Sequence, residues 1–226
     1  LVLKENAVFY LVGVGVVIWK FYLGDPVDWI YISIAGFLLG FPIFSLWTGL
    51  PRIYYDKLIH AVEWSKLSAI LQITDQIQTR QKWFIIKIPE FELDVRRAQA
   101  YAGLKKLDDG LKILQKYTND EKVSKFMYYS RLSGVYEIAD LPDKAIETQK
   151  LALEAGPENG LTLVDLARMY IFRKKDIENA SYYLAKGKQF TISELAQYAI
   201  PNIEGMIEFE KGNYKVAKEL FLSAYN

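Results

Sequence analysis

The chain has 226 residues, a formal net charge of +1, 51% apolar side chains and no cysteine. That near-neutral balance speaks against a dedicated nucleic-acid binder, which carries a basic face and a high pI. With no cysteine and His60 as its one histidine, disulfides, thiol catalysis, cysteine-bound zinc and multi-histidine metal sites are excluded.

The apolar residues are unevenly spread. Residues 6–50 hold only Lys20, Asp25 and Asp28 as formal charges. Residues 7–23 form one apolar segment, interrupted by Lys20, and residues 29–50 form a second without any charge. A helix needs about 20 apolar residues to cross a hydrocarbon core. The second segment meets that length, and the first does so if Lys20 snorkels to the interface. Trp19, Tyr22, Trp29 and Tyr31 cluster near the connector and Trp47 lies near the far end, the distribution expected at two water boundaries. The connector Gly24-Asp25-Pro26-Val27-Asp28 is turn chemistry. The two segments therefore read as an antiparallel transmembrane hairpin. Lys4, Arg52, Lys57 and Lys66 flank the open end, and the positive-inside rule places both visible ends, and the repeats, on the cytoplasmic side.

Two readings compete with the hairpin: a signal peptide over residues 1–23 and a buried helical pair in a soluble protein. A signal needs a small-residue cleavage site before a mature domain, but a second apolar stretch follows at once. Gly36 and Gly40 form a small-xxx-small pair that would pack the two spans together or dock a partner subunit.

From Pro51 the pattern turns amphipathic. Val62, Trp64, Leu67, Ile70, Leu71, Ile73 and Ile77 recur at helical spacing and predict one long helix from about residue 53 to about 82. Its apolar stripe could rest on the first repeat, on lipid headgroups or on a partner helix, and the first is favoured. His60, four residues before Trp64, reads as polar surface. Residues 82–88 read as a buried hinge ending at Pro89, which disfavours helix at Ile88. Residues 51–89 thus form a juxtamembrane helix and linker.

Beyond Pro89 the chain repeats itself. Tyr129, Leu132, Ser133 and Tyr136 are followed by Ala145, Ala152 and Pro157, and then Leu163, Leu166, Ala167 and Tyr170 by Ala180 and Leu184. Gly205, Gly212, Tyr214, Ala217, Phe221 and Ala224 continue the pattern, and Ala98, Tyr101, Gly110 and Leu114 precede it. Tyr101, Tyr136 and Tyr170 recur at intervals of 35 and 34 residues. These spacings resemble the tetratricopeptide repeat (TPR), a helix pair of 34 residues with W-x2-L-G-x2-Y in its first helix and A-x3-F in its second. Gln149 stands where an aromatic is usual, and Ala180 arrives one residue late, implying a longer turn around Arg173–Asp176. The resemblance implies about four units over residues 90–226, the last incomplete, in an all-α protein with a TPR-like α-solenoid. More protein or another subunit is expected to cover the final unit. It also implies a concave groove lined by the first helices, where Gln99, Ser130, Glu137, Val164, Arg168 and Phe172 should face a protein partner. Arg168 reads as solvated face, with the holding of an acidic group as the alternative. The lysines and asparagines that grip chaperone carboxylates in one TPR subset are missing.

No glycine-rich phosphate loop, H-E-x-x-H or G-x-S-x-G occurs. Pairs such as Asp108-Asp109 and Glu208/Glu210 read as solvated charge. The expectation is a non-enzymatic membrane scaffold or adaptor without cofactor or metal, whose partners are other proteins and membrane lipid rather than nucleic acid. Two alternatives stand beside it: an accessory subunit of an export or polysaccharide-secretion assembly, and a non-catalytic part of a larger membrane enzyme.

Overall fold

The computed structural model describes residues 15, 18, 22 and 49–224, except 85–86, 158 and 191–197. Apart from residues 15, 18, 22 and 49–50, the expected spans 7–23 and 29–50, with Gly36 and Gly40, lie outside the described residues. Among the described residues no helix is long and apolar enough to cross a membrane. All regular secondary structure among them is helical. The chain divides into two compact units, Leu1–Pro89 and Glu90–Asn226.

In the first unit, α1 (residues 49–63) and α2 (Leu67–Arg80) replace the single helix expected over 53–82. The break falls at Ser65, which is left-handed with φ 49°. Its N–H donates to the Val62 carbonyl at 2.9 Å, and the Lys66 N–H donates to that of Ala61 at 2.8 Å. These bonds satisfy carbonyls that a helix end otherwise leaves open. The chain then doubles back. Arg80, at the end of α2, donates to the Tyr54 hydroxyl near the start of α1, and its guanidinium lies 5.3 Å from that ring's centre. The periodicity hid this turn because no glycine or proline marks it and the apolar spacing runs on: Tyr54, Leu58 and Ala61 are buried on α1, and Ile70, Thr74 and Ile77 on α2. A 3-10 turn (Gln81–Trp83) follows, and Phe84 and Ile88 are buried in the linker as its apolar character predicts.

The second unit holds four helical hairpins. They are α3 (Glu90–Gly103) with α4 (Leu107–Gln115), α5 (Lys125–Ile138) with α6 (Pro142–Ala155), α7 (Gly160–Met169) with α8 (Ile177–Gly187), and α9 (Ala199–Glu210) with α10 (Tyr214–Ser223). Each turns through one left-handed residue: Lys105, Asp140, Lys175 and Gly212. The next N–H then reaches back to a carbonyl inside the first helix, Lys106 to Tyr101 at 2.8 Å, Leu141 to Tyr136 at 3.0 Å and Asn213 to Glu208 at 2.8 Å. In the third hairpin Asp176 reaches Tyr170, one residue further back, at 3.1 Å. The extra residue expected in the turn sits in the helix instead, where Tyr170–Lys174 form a π turn. A π turn adds one residue within the helical ladder and leaves the connection to α8 unchanged. Side-chain caps then start the helices: Ser124 accepts from the Met127 N–H, Asn159 from Thr162 and Asp176 from Asn179, while Pro142 opens α6.

Small residues let the two helices of each hairpin approach. A Cβ on Gly110 would sit 2.8 Å from the Ala98 carbonyl oxygen, so only glycine fits that crossing. Ser133 donates its hydroxyl to the Ala145 carbonyl at 2.8 Å, and Ala167 and Ala180 are fully buried. In the last hairpin the Phe221 ring fills the space over Gly205. Ala98/Gly110 and Ser133/Ala145 stand seven residues before and five after their left-handed residues, and the π turn moves Ala167 to eight before while Ala180 stays five after. The corresponding positions around Ser65 are Leu58 and Ile70, both buried, so the first-unit hairpin shares the turn but not the small-residue crossing. Neighbouring hairpins of the second unit pack on one another, α3 on α5, α6 on α7 and α8 on α9. One apolar cluster centres on Val95, Ala98, Leu114 and Val135, and another on Leu166, Ile171, Leu184 and Ile203.

Candidate functional site

The first helices of the hairpins carry the six residues expected to line a groove, and their fates differ. Gln99 on α3 accepts from Arg96 at 3.0 Å, and its side chain lies across the bare Cα of Gly134 on α5. Ser130 is half-buried. Glu137 on α5 and Arg168 on α7 meet directly, the guanidinium donating to both carboxylate oxygens at 2.6 and 2.8 Å. Val164 is 2% exposed and does not face a groove. Its methyl group packs against Gly187 of α8. The register misplaced it because α7 is enclosed by helices of three hairpins. That enclosure buries a wide face and leaves Leu161, Asp165, Arg168 and Phe172 as the outward stripe, at steps of four, three and four residues.

Charge is largely consumed within this face. Hydrogen bonds from Arg168 hold the Glu137 carboxyl below its ordinary value despite burial, and the same bonds raise Arg168. Burial pushes Asp165 up, against the pull of Arg168 at 3.5 Å. Arg173 approaches Glu137 at 3.7 Å and Asp140 at 3.9 Å, and Lys174 reaches Asp143 at 2.6 Å. Glu92 pairs with Arg131 at 3.1 Å and Lys175 with Glu210 at 2.7 Å. The ion pairs therefore bridge α3 to α5 and α5 to α7, and Lys175 in the third turn reaches α9. Arg168 is neither simply solvated nor free to hold a partner's acidic group: its guanidinium is taken by Glu137 of the neighbouring hairpin.

The Glu137–Arg168 pair gives a pH signature. A carboxyl whose folded value is depressed stabilises the fold above its unfolded value, and that stability is lost as pH falls through the folded value. Arg168→Ala should lower stability by about 1–2 kcal/mol at pH 7, the pair being bidentate but partly solvated. The difference from wild type should shrink below about pH 4, near the unfolded carboxyl value. Urea unfolding at pH 7 and pH 3.5 checks this, and an equal loss at both would refute the assignment.

Between the ion pairs the first helices present apolar side chains that the array leaves uncovered: Met127 and Ile138 on α5, Leu161 on α7 and Phe172 in the π turn that continues it, and Phe209 on α9, each between 41 and 55% exposed. Met127 and Ile138 are eleven residues apart, about three turns, and so share a face. Leu161 and Phe172 repeat that spacing 34 residues later. Of these only Phe172 was anticipated. The recurrence at the repeat interval was the available signal for the others. Such a surface can hold apolar side chains of a peptide or helix over two hairpins. His60, in the other unit, packs edge-on to Trp64 at 6.0 Å on an exposed surface. Among the described residues no group of three or more His, Cys, Asp or Glu side chains could hold a metal ion.

A buried polar node was not foreseen. Asp94 on α3 is 2% exposed and accepts from the Tyr117 hydroxyl at 2.9 Å, Arg97 at 3.0 Å and Lys116 at 2.8 Å. Lys116 also reaches Glu90 at 2.7 Å. Burial raises the Tyr117 hydroxyl and Asp94 raises it further. For Lys116, burial opposes the charge, but hydrogen bonds to Asp94 and Glu90 outweigh it and its value rises. The node ties α3 to the residues just beyond α4.

Comparison with protein-family models, with curated proteins and with solved structures finds no match in any of the three.

Proposed function

We propose that this chain is a non-enzymatic, membrane-anchored scaffold whose TPR-like hairpin array recruits protein partners beside the bilayer. The observation that carries the reading is the repeated exposure of Met127, Ile138, Leu161, Phe172 and Phe209 along first helices whose charges already pair with one another. A surface whose charges are paired internally and whose uncovered groups are apolar suits a partner's apolar side chains, since recurring exposed apolar groups mark interaction sites. The recurring left-handed turn and the small-residue crossings support an α-solenoid of the tetratricopeptide kind. The apolar segments 7–23 and 29–50 support the anchor, and the flanking Lys4, Arg52, Lys57 and Lys66 support a cytoplasmic array.

The test is detergent-solubilised affinity capture of the full chain against the Leu161→Asp/Phe172→Asp double variant, with helicity followed by circular dichroism. Loss of specific partners at unchanged helicity is expected. Partners retained by the folded variant would sink the groove assignment. A second reading, an accessory subunit of a membrane export assembly, rests on Gly36 and Gly40. It predicts that replacing both by leucine disrupts the assembly while the array stays folded.

A further inference from the structure

We infer that one exposed stripe of α1 lies on an anionic lipid surface, with the outer face of α2 turned to water. Ile53, Lys57, His60 and Trp64 follow one another at steps of four, three and four residues and so share one face of α1. That face flanks the buried row of Tyr54, Leu58 and Ala61. Trp64 is 66% exposed and Ile53 46%, at opposite ends of the stripe. The outer face of α2 is built differently. Ser68, Gln72, Asp75 and Thr79 repeat the same steps, all exposed and all polar. This hairpin therefore has an apolar, aromatic edge and a polar back, the sidedness of an element that rests on a bilayer surface.

Side-chain chemistry and position in the chain identify the occupant as lipid. Indole and lysine settle at a headgroup boundary, the ring at the acyl edge and the ammonium reaching out to phosphate. The Lys57 ammonium lies over the Tyr54 ring, 5.5 Å from its centre. The acidic groups beside the stripe have neighbours of their own, Asp56 with Arg52 at 4.0 Å and Glu63 with His60 at 3.9 Å. From residue 49 to the turn, the cations Arg52, Lys57 and Lys66 outnumber the anions Asp56 and Glu63, and an anionic bilayer surface complements that surplus. Continuity points the same way. Residues 49–50, the end of the charge-free segment 29–50, are already helical and lead directly into α1. The inference deepens the membrane-anchored reading and rests on it for bringing α1 to the bilayer.

The test uses the full chain reconstituted into phosphatidylcholine–phosphatidylglycerol vesicles. Since the sequence contains no cysteine, Ile53→Cys, Trp64→Cys and Gln72→Cys can each carry a single nitroxide. Its accessibility to oxygen, which concentrates in lipid, is divided by that to an aqueous nickel chelate. This ratio is expected to be several-fold higher at positions 53 and 64 than at 72, with 53 and 64 at equal depth. The two lie about 16 Å apart along α1, so a helix standing upright from the bilayer would put 64 in water and overturn the inference. Low access of both reagents at 64, as beneath protein, would overturn it too. With the label at His60→Cys, Trp64→Glu should bring the ratio down to the Gln72→Cys value, whereas Thr79→Glu on α2 should leave it unchanged. Omitting phosphatidylglycerol should lower the ratio at 64, and no change would overturn the anionic preference. Carbonate washing reads the anchor separately. A retained chain with an aqueous label at 64 overturns the lipid contact alone, and a released chain whose label sat in lipid at neutral pH overturns the anchor alone. Circular dichroism keeps misfolding separate from loss of contact.

Discussion

Replacing Asp94 with alanine is expected to destabilise the second unit by about 3–4 kcal/mol, the range for removing one partner of a buried charged network. The Asp94 carboxylate is 2% exposed and is the common acceptor for Tyr117, Arg97 and Lys116. Lys116 can return to water because its side chain is half exposed, but the Tyr117 ring is packed edge-on against Phe91 at 4.9 Å and cannot turn its hydroxyl to solvent without breaking that contact. An unanswered donor in that setting carries its full desolvation cost. Asp94→Asn keeps an acceptor and removes the charge, so its loss should be smaller. Tyr117→Phe should cost about 1–2 kcal/mol, one hydrogen bond to a charged group. Urea unfolding followed at 222 nm measures all three. An Asp94→Ala loss below that of Tyr117→Phe would show that the node does not hold α3 to the end of α4.

The second large effect lies in the other apolar cluster. Leu166 is fully buried among Ala145, Ile171, Leu184 and Ile203, side chains drawn from all three of the last hairpins. Leu166→Ala should cost about 3–4 kcal/mol, within the range measured for leucine truncation where neighbours cannot collapse into the gap. In a linear array each hairpin contacts mainly its neighbours, so the damage should be local. Hydrogen exchange is expected to quicken first in α7, α8 and α9, while amides of α3 and α4, around Val95 and Leu114, keep their protection. A uniform loss across all eight helices would mean that the second unit unfolds as one block.

The difference between these two sites bears on what could be read in advance. Leu166 was legible because it repeats: Leu132, Leu166 and their neighbours return at the unit length, and a side chain that recurs at a small-residue crossing belongs to the core. The Asp94 node does not repeat. No other hairpin puts a buried carboxylate in that place, and a lone Asp on an amphipathic helix looks solvated until Tyr117 and Arg97 are seen to converge on it. The residues expected to line a groove show the same division. Glu137, Arg168 and Phe172 fell on the first-helix face because helical periodicity carries side chains to a face. Val164 did not, because the width of the buried face on α7 depends on how many helices enclose it.

Local residue order by itself determined the all-helical class, the start of the repeats near Pro89, the small-residue crossings at Ala98/Gly110, Ser133/Ala145 and Ala167/Ala180, and the stretches able to bury apolar surface. Those follow from short-range spacing, which survives without any knowledge of neighbours. Only the tertiary structure decided that residues 49–80 fold back at Ser65, that the inserted residue of the third hairpin sits in a π turn at Tyr170–Lys174, and that Arg168 is held by Glu137. A left-handed serine or lysine is locally unfavourable. It is adopted here because the two helices it joins then bury their apolar faces against each other, a gain that depends on residues distant in sequence.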